Sequence, residues 1–170
     1  EMQAQLKSEK GFTFYSKGDA DKAEAAATRR VEASYSAPYL AHATMEPMNC
    51  TAQVKDGAVE VWVPTQVPGM ARAIAAKVAG VDADKVTLHV TLLGGGFGRR
   101  LDVDYVAQAV RVALACGGIP VQLVWSREED TTHDFYRPMH VANLTAAIDA
   151  TGAVDSLRIK SAGDAISPRW

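Results

Sequence analysis

The sequence predicts an α+β fold with a mixed or antiparallel sheet, several hairpins and two main helices. Two observations carry this prediction: pairs of β-rich runs are joined by turn signals, and two longer segments show apolar residues at helical spacing. Hairpins and helices in this mixture are typical of the α+β class. The length of 170 residues suits one domain, with two small lobes possible.

The strands are predicted from alternation and from turn residues. Asp56 and Gly57 separate the β-rich runs 51–54 and 58–63, which indicates a tight hairpin. Pro64 ends the second run because proline cannot donate a ladder hydrogen bond. Further strands are expected at 86–92 and 121–125, a second hairpin at 141–148 and 154–160, and a strand at 30–36 that is half-buried through Val31, Ala33 and Tyr35.

Three helices are predicted, two of them long. A short Ala-rich helix follows Asp19, a favoured N-cap residue. The first long helix begins at Pro68 and ends at Gly80, both favoured at those positions. Its predicted buried stripe consists of Met70, Ile74, Val78 and Val81. The second long helix begins near Asp102 and is expected to bury Val103, Val106, Ala107, Val110, Ala113 and Leu114.

The composition excludes several classes of protein. Lys and Arg number 18 against 20 for Asp and Glu, so the net charge of −2 favours neither nucleic acid nor an anionic membrane as partner. No apolar run approaches the ~18 residues of a membrane span. Cys50 and Cys116 lie far apart and are expected to be buried thiols. Because the chain starts at Glu1 and stops abruptly at Trp170, we expect a piece of a longer protein or a processed chain.

Residues 94–98, here called the glycine loop, contain four glycines and lie between a predicted strand and a predicted helix. Glycines let a ligand approach main-chain N–H groups. A helix N-terminus with Arg99 and Arg100 suits an anionic ligand, although Asp102 and Asp104 oppose one. The loop lacks the residues of a P-loop or a Rossmann motif. A cofactor-binding loop and a tight structural turn therefore remain alternatives.

Phe97 is the only large side chain in the glycine loop. It serves either as a hydrophobic plug for the loop or as a wall for a flat ring system. Gln66 lies between a strand and the helix that Pro68 opens, where a loop hydrogen bond is its ordinary role. The four histidines, His42, His89, His133 and His140, show no recognised metal-binding spacing.

Four motifs follow one another along the chain: His-Ala-Thr-Met-Glu-Pro within 41–52, Pro-Thr-Gln at 64–66, Gly-Gly-Gly-Phe-Gly-Arg-Arg at 94–100 and Ser-Arg-Glu-Glu-Asp at 126–130. Together they resemble the large, molybdopterin-binding subunit of the xanthine dehydrogenase and aldehyde oxidase family. With His-Asp-Phe-Tyr-Arg-Pro at 133–138, the sequence looks most like the isoquinoline 1-oxidoreductase β-subunit branch. The resemblance makes 30–170 a portion of the molybdopterin-binding domain, and 1–29 an N-terminal segment that matches less distinctly.

The resemblance implies a molybdenum hydroxylase, an oxidoreductase that oxidises N-heteroaromatic compounds or aldehydes with oxygen from water. Its molybdopterin-type cofactor takes no protein ligand at the metal. Gln66 matches the glutamine that hydrogen-bonds the oxo group of molybdenum, and an amide N–H is a suitable donor. Phe97 matches the aromatic that packs on the substrate. Gly95, Gly96, Phe97 and Gly98 are expected to lie along the cofactor.

Leu101 is an informative departure from the family pattern. Xanthine-oxidising members carry a glutamate at this position, four residues after the phenylalanine, and it binds the purine. An aliphatic side chain cannot hydrogen-bond a polar purine edge. The resemblance therefore implies a small heteroaromatic or aldehyde substrate rather than a purine.

The family's catalytic glutamate base and its substrate-binding arginine have no match in the chain. We therefore expect the isolated chain to be inactive and to bind no cofactor. The implied partners are the rest of its own large subunit and an iron–sulfur electron-transfer subunit, in the cytoplasm or the periplasm. The alternative from another class is a non-catalytic phosphate- or nucleotide-binding module that uses residues 94–98, with Arg99 and Arg100 as its charges.

Overall fold

The computed structural model describes residues 2–7 and 11–164. In chain order the elements are α1 (Met2–Leu6), α2 (Ala20–Ala26), β1 (Arg29–Ala37), β2 (Asn49–Lys55), β3 (Ala58–Val63), α3 (Pro68–Ala79), β4 (Val86–Val90), α4 (Asp104–Ala115), β5 (Val121–Val124), α5 (Arg127–Thr132), β6 (His140–Ile148) and β7 (Val154–Gly163). Short 3₁₀ turns lie at Ala83–Lys85 and Arg99–Leu101. This mixture of hairpins and helices confirms the predicted α+β class.

The described residues form two compact units. The first unit holds the residues up to Leu40 and those from Arg137 onward, and the second holds Ala41–Tyr136. All four motifs lie in the second unit, and the further segment 133–138 lies there except for Arg137 and Pro138. The predicted boundary between residues 29 and 30 stays a prediction.

The first unit is built on an antiparallel sheet with strand order β1-β6-β7. The predicted hairpin of β6 and β7 and the predicted strand β1 are confirmed. Helix α2 is capped by Asp19, whose carboxylate accepts from the Lys22 N–H at 3.0 Å. Arg158 on β7 forms ion pairs with Asp21 and Glu24 of this helix. The helix thus covers the polar face of the sheet.

The predicted half-burial of β1 is wrong. Val31 and Tyr35 are exposed, Tyr35 at 63%, and only Ala33 is half-buried. The alternation correctly indicated a strand, but α2 packs on the face that carries Arg158. Within the described part of this unit, the apolar face of β1 is left uncovered.

The second unit contains a mixed sheet with strand order β4-β3-β2-β5. β2 runs antiparallel to β3 and β5, and β3 runs parallel to β4. The β2–β3 hairpin is confirmed, and its two central residues, Asp56 and Gly57, have φ values of 51° and 75°. Positive φ at both positions is the type I′ geometry that matches the twist of the strands. The buried faces of β2 and β3 pack with α3 and α4 in one hydrophobic core.

The predicted buried stripe of α3 is wrong in part. Ala71, Ala75 and Ala76 are buried, whereas Met70 is 42% exposed and Ile74 is only half-buried. The predicted ends of the helix, Pro68 and the left-handed Gly80, are confirmed. Small residues at the contact allow α3 to pack closely on its neighbours, since side-chain size sets the distance between helix axes. The helical spacing of the apolar residues predicted burial of the larger side chains because it does not take the size of the contact residues into account.

Other predicted elements differ from the structure in detail. β4 ends at Val90, and Leu92 is exposed. α4 begins at Asp104 and buries Tyr105, Val106, Ala109, Val110 and Ala113. The motif at 126–130 forms the start of α5, which Ser126 caps.

Both cysteines are free thiols, and both lie within the described residues. The expected burial is confirmed for Cys50 and wrong for Cys116, which is only half-buried. Burial raises the pKa of Cys50 to about 12, so this thiol stays protonated at neutral pH.

No helix among the described residues is both long enough and apolar enough to cross a membrane.

The packing of α3 generates a test. Ala75→Leu should lower the free energy of unfolding by about 1–3 kcal/mol, because the buried site has no room for the added atoms. Met70→Ala should change the free energy of unfolding by less than about 0.5 kcal/mol, because Met70 faces outward. Urea denaturation followed by tryptophan fluorescence measures both variants. If Met70→Ala lowered the free energy of unfolding more than Ala75→Leu, the buried stripe predicted from the spacing would be correct.

Candidate functional site

The glycine loop has a strained backbone that glycine makes accessible. Gly95 and Gly98 have φ values of 100° and 106°, and Phe97 has a φ of 53°. Positive φ is uncommon for a bulky residue and is found where the surroundings hold the chain in place. Such strain points to a loop whose shape is fixed by its neighbours.

Two other segments pack against the loop. Residues 42–46, here called the histidine segment, join it through the Glu46 N–H, which donates to Gly94 O at 3.0 Å. In return the Gly94 N–H donates to a carboxylate oxygen of Glu46 at 2.9 Å. Residues 64–66, the glutamine turn, lie against Gly96, where a Cβ atom would come within 2.6 Å of the Gln66 side-chain oxygen. Space therefore favours glycine at position 96, whereas the backbone angle favours it at positions 95 and 98.

Arg100 joins all three segments. Its side chain is fully buried. Its Nε donates to Gly95 O at 2.7 Å, its Nη1 to Pro64 O at 3.2 Å, and its Nη2 to the backbone and side-chain oxygens of Glu46 at 2.9 and 2.7 Å. Five N–H donors in a rigid planar group make arginine suited to such a junction.

The backbone of Arg100 and the neighbouring helix complete the junction. The Arg100 carbonyl accepts from the Gln66 N–H at 3.2 Å and from the Thr65 hydroxyl at 3.3 Å. The buried Tyr105 of α4 donates its hydroxyl to Pro64 O at 2.9 Å. Burial raises the pKa of Tyr105, which keeps that hydroxyl a donor.

Arg99 is also buried, and its guanidinium already binds protein groups. Its guanidinium donates to both carboxylate oxygens of Asp104, at 3.0 and 2.9 Å. The rings of Tyr105, Trp125 and Phe135 lie 5.3–5.9 Å from its central carbon. Burial lowers the pKa of Arg99, but the Asp104 carboxylate outweighs this and the net shift is upward.

The prediction that Arg99 and Arg100 supply charge to an anion is therefore wrong. Both guanidinium groups are buried and paired with carboxylates, Asp104 and Glu46 respectively. The loop also does not open α4 directly, because the 3₁₀ turn Arg99–Leu101 separates them. The phosphate- or nucleotide-binding alternative has no support.

Gln66 presents an amide donor at the surface of this junction. Its side chain is exposed, and its oxygen accepts from the Gly98 N–H at 3.2 Å. Within the described residues, its NH₂ group donates no hydrogen bond. The bond from Gly98 therefore leaves the amide N–H groups available to a ligand.

Phe97 is 70% exposed, so it is not a plug buried in the core. Its ring edge lies over Gly95, 3.2 Å from the position that a Cβ atom would take there. Leu101 is half-buried and follows in the 3₁₀ turn, where its N–H donates to Gly98 O at 3.2 Å. Phe97 precedes Gly98 in the chain and Leu101 bonds to it, and Gly98 is the residue that bonds the Gln66 side chain.

The histidine segment is fixed by residues that the sequence analysis did not single out. Asp134 follows α5, and its carboxylate accepts from both the backbone N–H of His42 and the ring Nδ1 at 2.8 Å. Arg127 at the start of α5 donates to Met45 O at 2.8 Å and to Asp130 at 3.1 Å. The one sequence signal for Asp134 was its place in the His-Asp-Phe-Tyr-Arg-Pro motif at 133–138.

Asp130 is the last residue of the fourth motif, Ser-Arg-Glu-Glu-Asp at 126–130, and shows its structural role. Burial raises the pKa of its carboxyl group, although Arg127 acts in the opposite direction. The Ser-Arg-Glu-Glu-Asp motif is thus a capped helical turn that anchors the neighbouring backbone. In the described part of the chain, no group of three or more His, Cys, Asp and Glu side chains could hold a metal ion.

The junction at Arg100 generates a second test. Arg100→Lys should lower the free energy of unfolding by at least about 2 kcal/mol, because buried acceptors that lose their donor cost about 1–3 kcal/mol each. Arg111→Lys, on the exposed side of α4, is the matched control and should stay within about 0.5 kcal/mol. Urea denaturation measures both. Equal stability of the two variants would show that the guanidinium does not hold the segments together.

Comparison with known proteins gives two similar sequences and a similar structure. The membrane-bound aldehyde dehydrogenase (pyrroloquinoline-quinone) of Gluconacetobacter polyoxogenes is 32% identical over 152 residues, which are 89% of this chain and 20% of that protein. Isoquinoline 1-oxidoreductase subunit beta of Brevundimonas diminuta is 38% identical over 107 residues, 62% of this chain and 14% of that protein. The chain thus spans a fifth or less of these relatives.

The fold is similar to that of the solved aldehyde oxidoreductase (MOP) from Desulfovibrio gigas. The TM-score is 0.66 at 21% identity, and the match covers 85% of this chain and 16% of the other. The family described as a molybdopterin cofactor-binding domain matches residues 4–165. The resemblance carried by the four motifs is therefore confirmed, and the chain belongs to the molybdopterin cofactor-binding domain family.

Proposed function

We propose that the chain is a portion of the molybdenum-cofactor-binding subunit of a molybdenum hydroxylase. The single observation that carries the proposal is the Gln66 amide, whose oxygen is held by Gly98 N–H while its NH₂ group is left to a ligand. It stands at the junction of three of the four family motifs. The enzyme would be an oxidoreductase acting on N-heteroaromatic compounds or aldehydes, the compound classes in the names of the relatives.

The residues present fit such a cofactor. An oxygen ligand of molybdenum is an acceptor, and the Gln66 NH₂ group is a donor without a partner in the described residues. Gly96 carries no side chain where a Cβ atom would collide with Gln66, so the loop backbone stays open to a close approach. Gly95 and Gly98 supply the backbone angles that shape this surface.

When bound, the molybdopterin cofactor supplies the two-electron oxidation of the substrate. The residues of this chain supply position and polarity. Gln66 donates to an oxo ligand of the cofactor, and the Phe97 ring packs against a flat substrate. Gly95, Gly96 and Gly98 keep the loop backbone close to the cofactor. No proton-transferring base is assigned to the chain.

Leu101 is proposed to set the preference for substrates without polar edges. It is half-buried and hydrogen-bonded through its backbone to Gly98, four residues after Phe97. A purine N–H or oxygen that faced this side chain would lose its hydrogen bond to water. Apolar heteroaromatic compounds and aromatic aldehydes lose no such hydrogen bond when an apolar edge faces Leu101.

The name of one relative carries a different cofactor, pyrroloquinoline quinone. The molybdopterin cofactor-binding domain family matches residues 4–165, which favours the molybdopterin cofactor. Measuring both molybdenum and quinone in the purified enzyme distinguishes the two. The proposed partners are the rest of the large subunit and an iron–sulfur electron-transfer subunit.

Gln66→Ala in the full-length enzyme tests the proposed function. Turnover should fall about 10²-fold or more, because a preorganised hydrogen bond at the reacting centre is lost. Molybdenum content should stay near that of the parent. Gln122→Ala, on the exposed side of β5, is the matched control and should keep the parent rate. An unchanged rate in Gln66→Ala with full cofactor content would remove Gln66 from the site.

Leu101→Glu tests the substrate preference. The parent enzyme should show a higher kcat/KM for isoquinoline or benzaldehyde than for hypoxanthine. The substitution should reduce the ratio of the kcat/KM for isoquinoline or benzaldehyde to that for hypoxanthine. It adds a hydrogen-bonding group for the purine and places a charge beside apolar substrates. Steady-state kinetics on the three compounds measures both forms. A parent enzyme that uses hypoxanthine as well as isoquinoline would show that Leu101 does not determine specificity.

A further inference from the structure

We propose that His42 is a positioning residue for Gln66, an inference that rests on the proposed function of that amide. It acts through Gly98. The ring of His42 supports the backbone of Gly98, and the Gly98 N–H holds the side-chain oxygen of Gln66. The orientation of the amide that faces the cofactor would then depend on a histidine that makes no hydrogen bond to Gln66 among the described residues.

His42 is held rigidly from one side by Asp134. The carboxylate of Asp134 accepts from the backbone N–H of His42 and lies 2.8 Å from Nδ1 of its ring. Both side chains are nearly inaccessible to solvent. The guanidinium of Arg99, 3.4 Å from Asp134, keeps that carboxylate in place. With Nδ1 donating to a carboxylate, the lone pair of the neutral ring lies on Nε2.

The opposite edge of the His42 ring lies against Gly98. A Cβ atom on Gly98 would come within 3.3 Å of Nε2 and 3.6 Å of Cδ2. Gly98 also has a φ of 106°, which side chains rarely adopt. Within the described residues, Nε2 has no hydrogen-bond partner, so the ring would limit the movement of Gly98 by occupying the space beside its Cα.

The Gly98 N–H determines which end of the Gln66 amide is free. It donates to the side-chain oxygen at 3.2 Å, which turns the NH₂ group away from the loop. A flip of the amide by 180° would place two N–H donors against the Gly98 donor and would present an oxygen to the cofactor. Displacing Gly98 weakens the only side-chain hydrogen bond that prevents this flip among the described residues.

The test uses the full-length enzyme and two substitutions of His42. His42→Ala removes the ring. His42→Asn keeps an N–H near the Nδ1 position for Asp134 but removes the atoms that lie against Gly98. His89→Asn is the matched control, because His89 also pairs with a carboxylate, Glu60 at 2.8 Å, but lies on β4 with an exposed side chain.

The first readout is hydrogen exchange in the peptide that contains Gly98, measured by mass spectrometry. Both His42 variants should exchange about tenfold faster there, while the His89 control should not. This readout does not depend on activity or on the identity of the cofactor. Because His42→Asn retains the contact to Asp134, it carries the test if His42→Ala does not fold.

The second readout is a double-mutant comparison of kcat. His42→Asn should lower kcat about tenfold or more with little change in KM, because a displaced catalytic group costs rate. The double variant with both His42→Asn and Gln66→Ala should have the same kcat as Gln66→Ala alone, because His42 acts through Gln66. Unchanged exchange at Gly98, or fully additive losses in kcat, would overturn the inference. Failure of the proposed function is seen separately, as a parent-like rate in Gln66→Ala alone.

Discussion

The buried guanidinium of Arg100 determines the geometry of the site. Removing this charge from water is costly, and the cost is offset by the Glu46 carboxylate and by the backbone acceptors of its N–H groups. The acceptors come from three separate stretches of chain, at Gly95, Pro64 and Glu46. Each stretch is therefore fixed by the same group, and the shape of one depends on the others. The sequence analysis assigned this charge to an anionic ligand, but in the structure it holds three segments of the chain together.

This arrangement explains the glycines without assuming that they all contact a ligand. Gly94 and Gly96 lie so close to Glu46 and Gln66 that a Cβ atom would come within 2.4 and 2.6 Å of them. Gly98 has both a left-handed backbone and the His42 ring beneath it. The glycines let the three segments pack tightly, and the close packing leaves the Gln66 amide at the surface.

Local sequence patterns predicted the elements well, because hairpins and helix ends depend on nearby residues. Asp56 and Gly57 specify a turn by their own backbone preferences, and Pro68 and Gly80 bound a helix in the same way. The exposure of Met70 could not be predicted, since it depends on which face α3 turns toward the sheet and α4. The motifs located the site through resemblance, but they did not distinguish arginines that bind a ligand from arginines that bind the protein.

We propose that the Gln66 amide, oriented by Gly98, donates to an oxygen ligand of molybdenum. A crystal structure of the full-length subunit with its cofactor bound tests this directly. Nε2 of Gln66 is expected to lie at hydrogen-bond distance, about 2.8–3.2 Å, from an oxygen on molybdenum, with the amide oxygen still accepting from Gly98 N–H. A cofactor bound elsewhere, or an amide whose oxygen points at the metal centre, would contradict it.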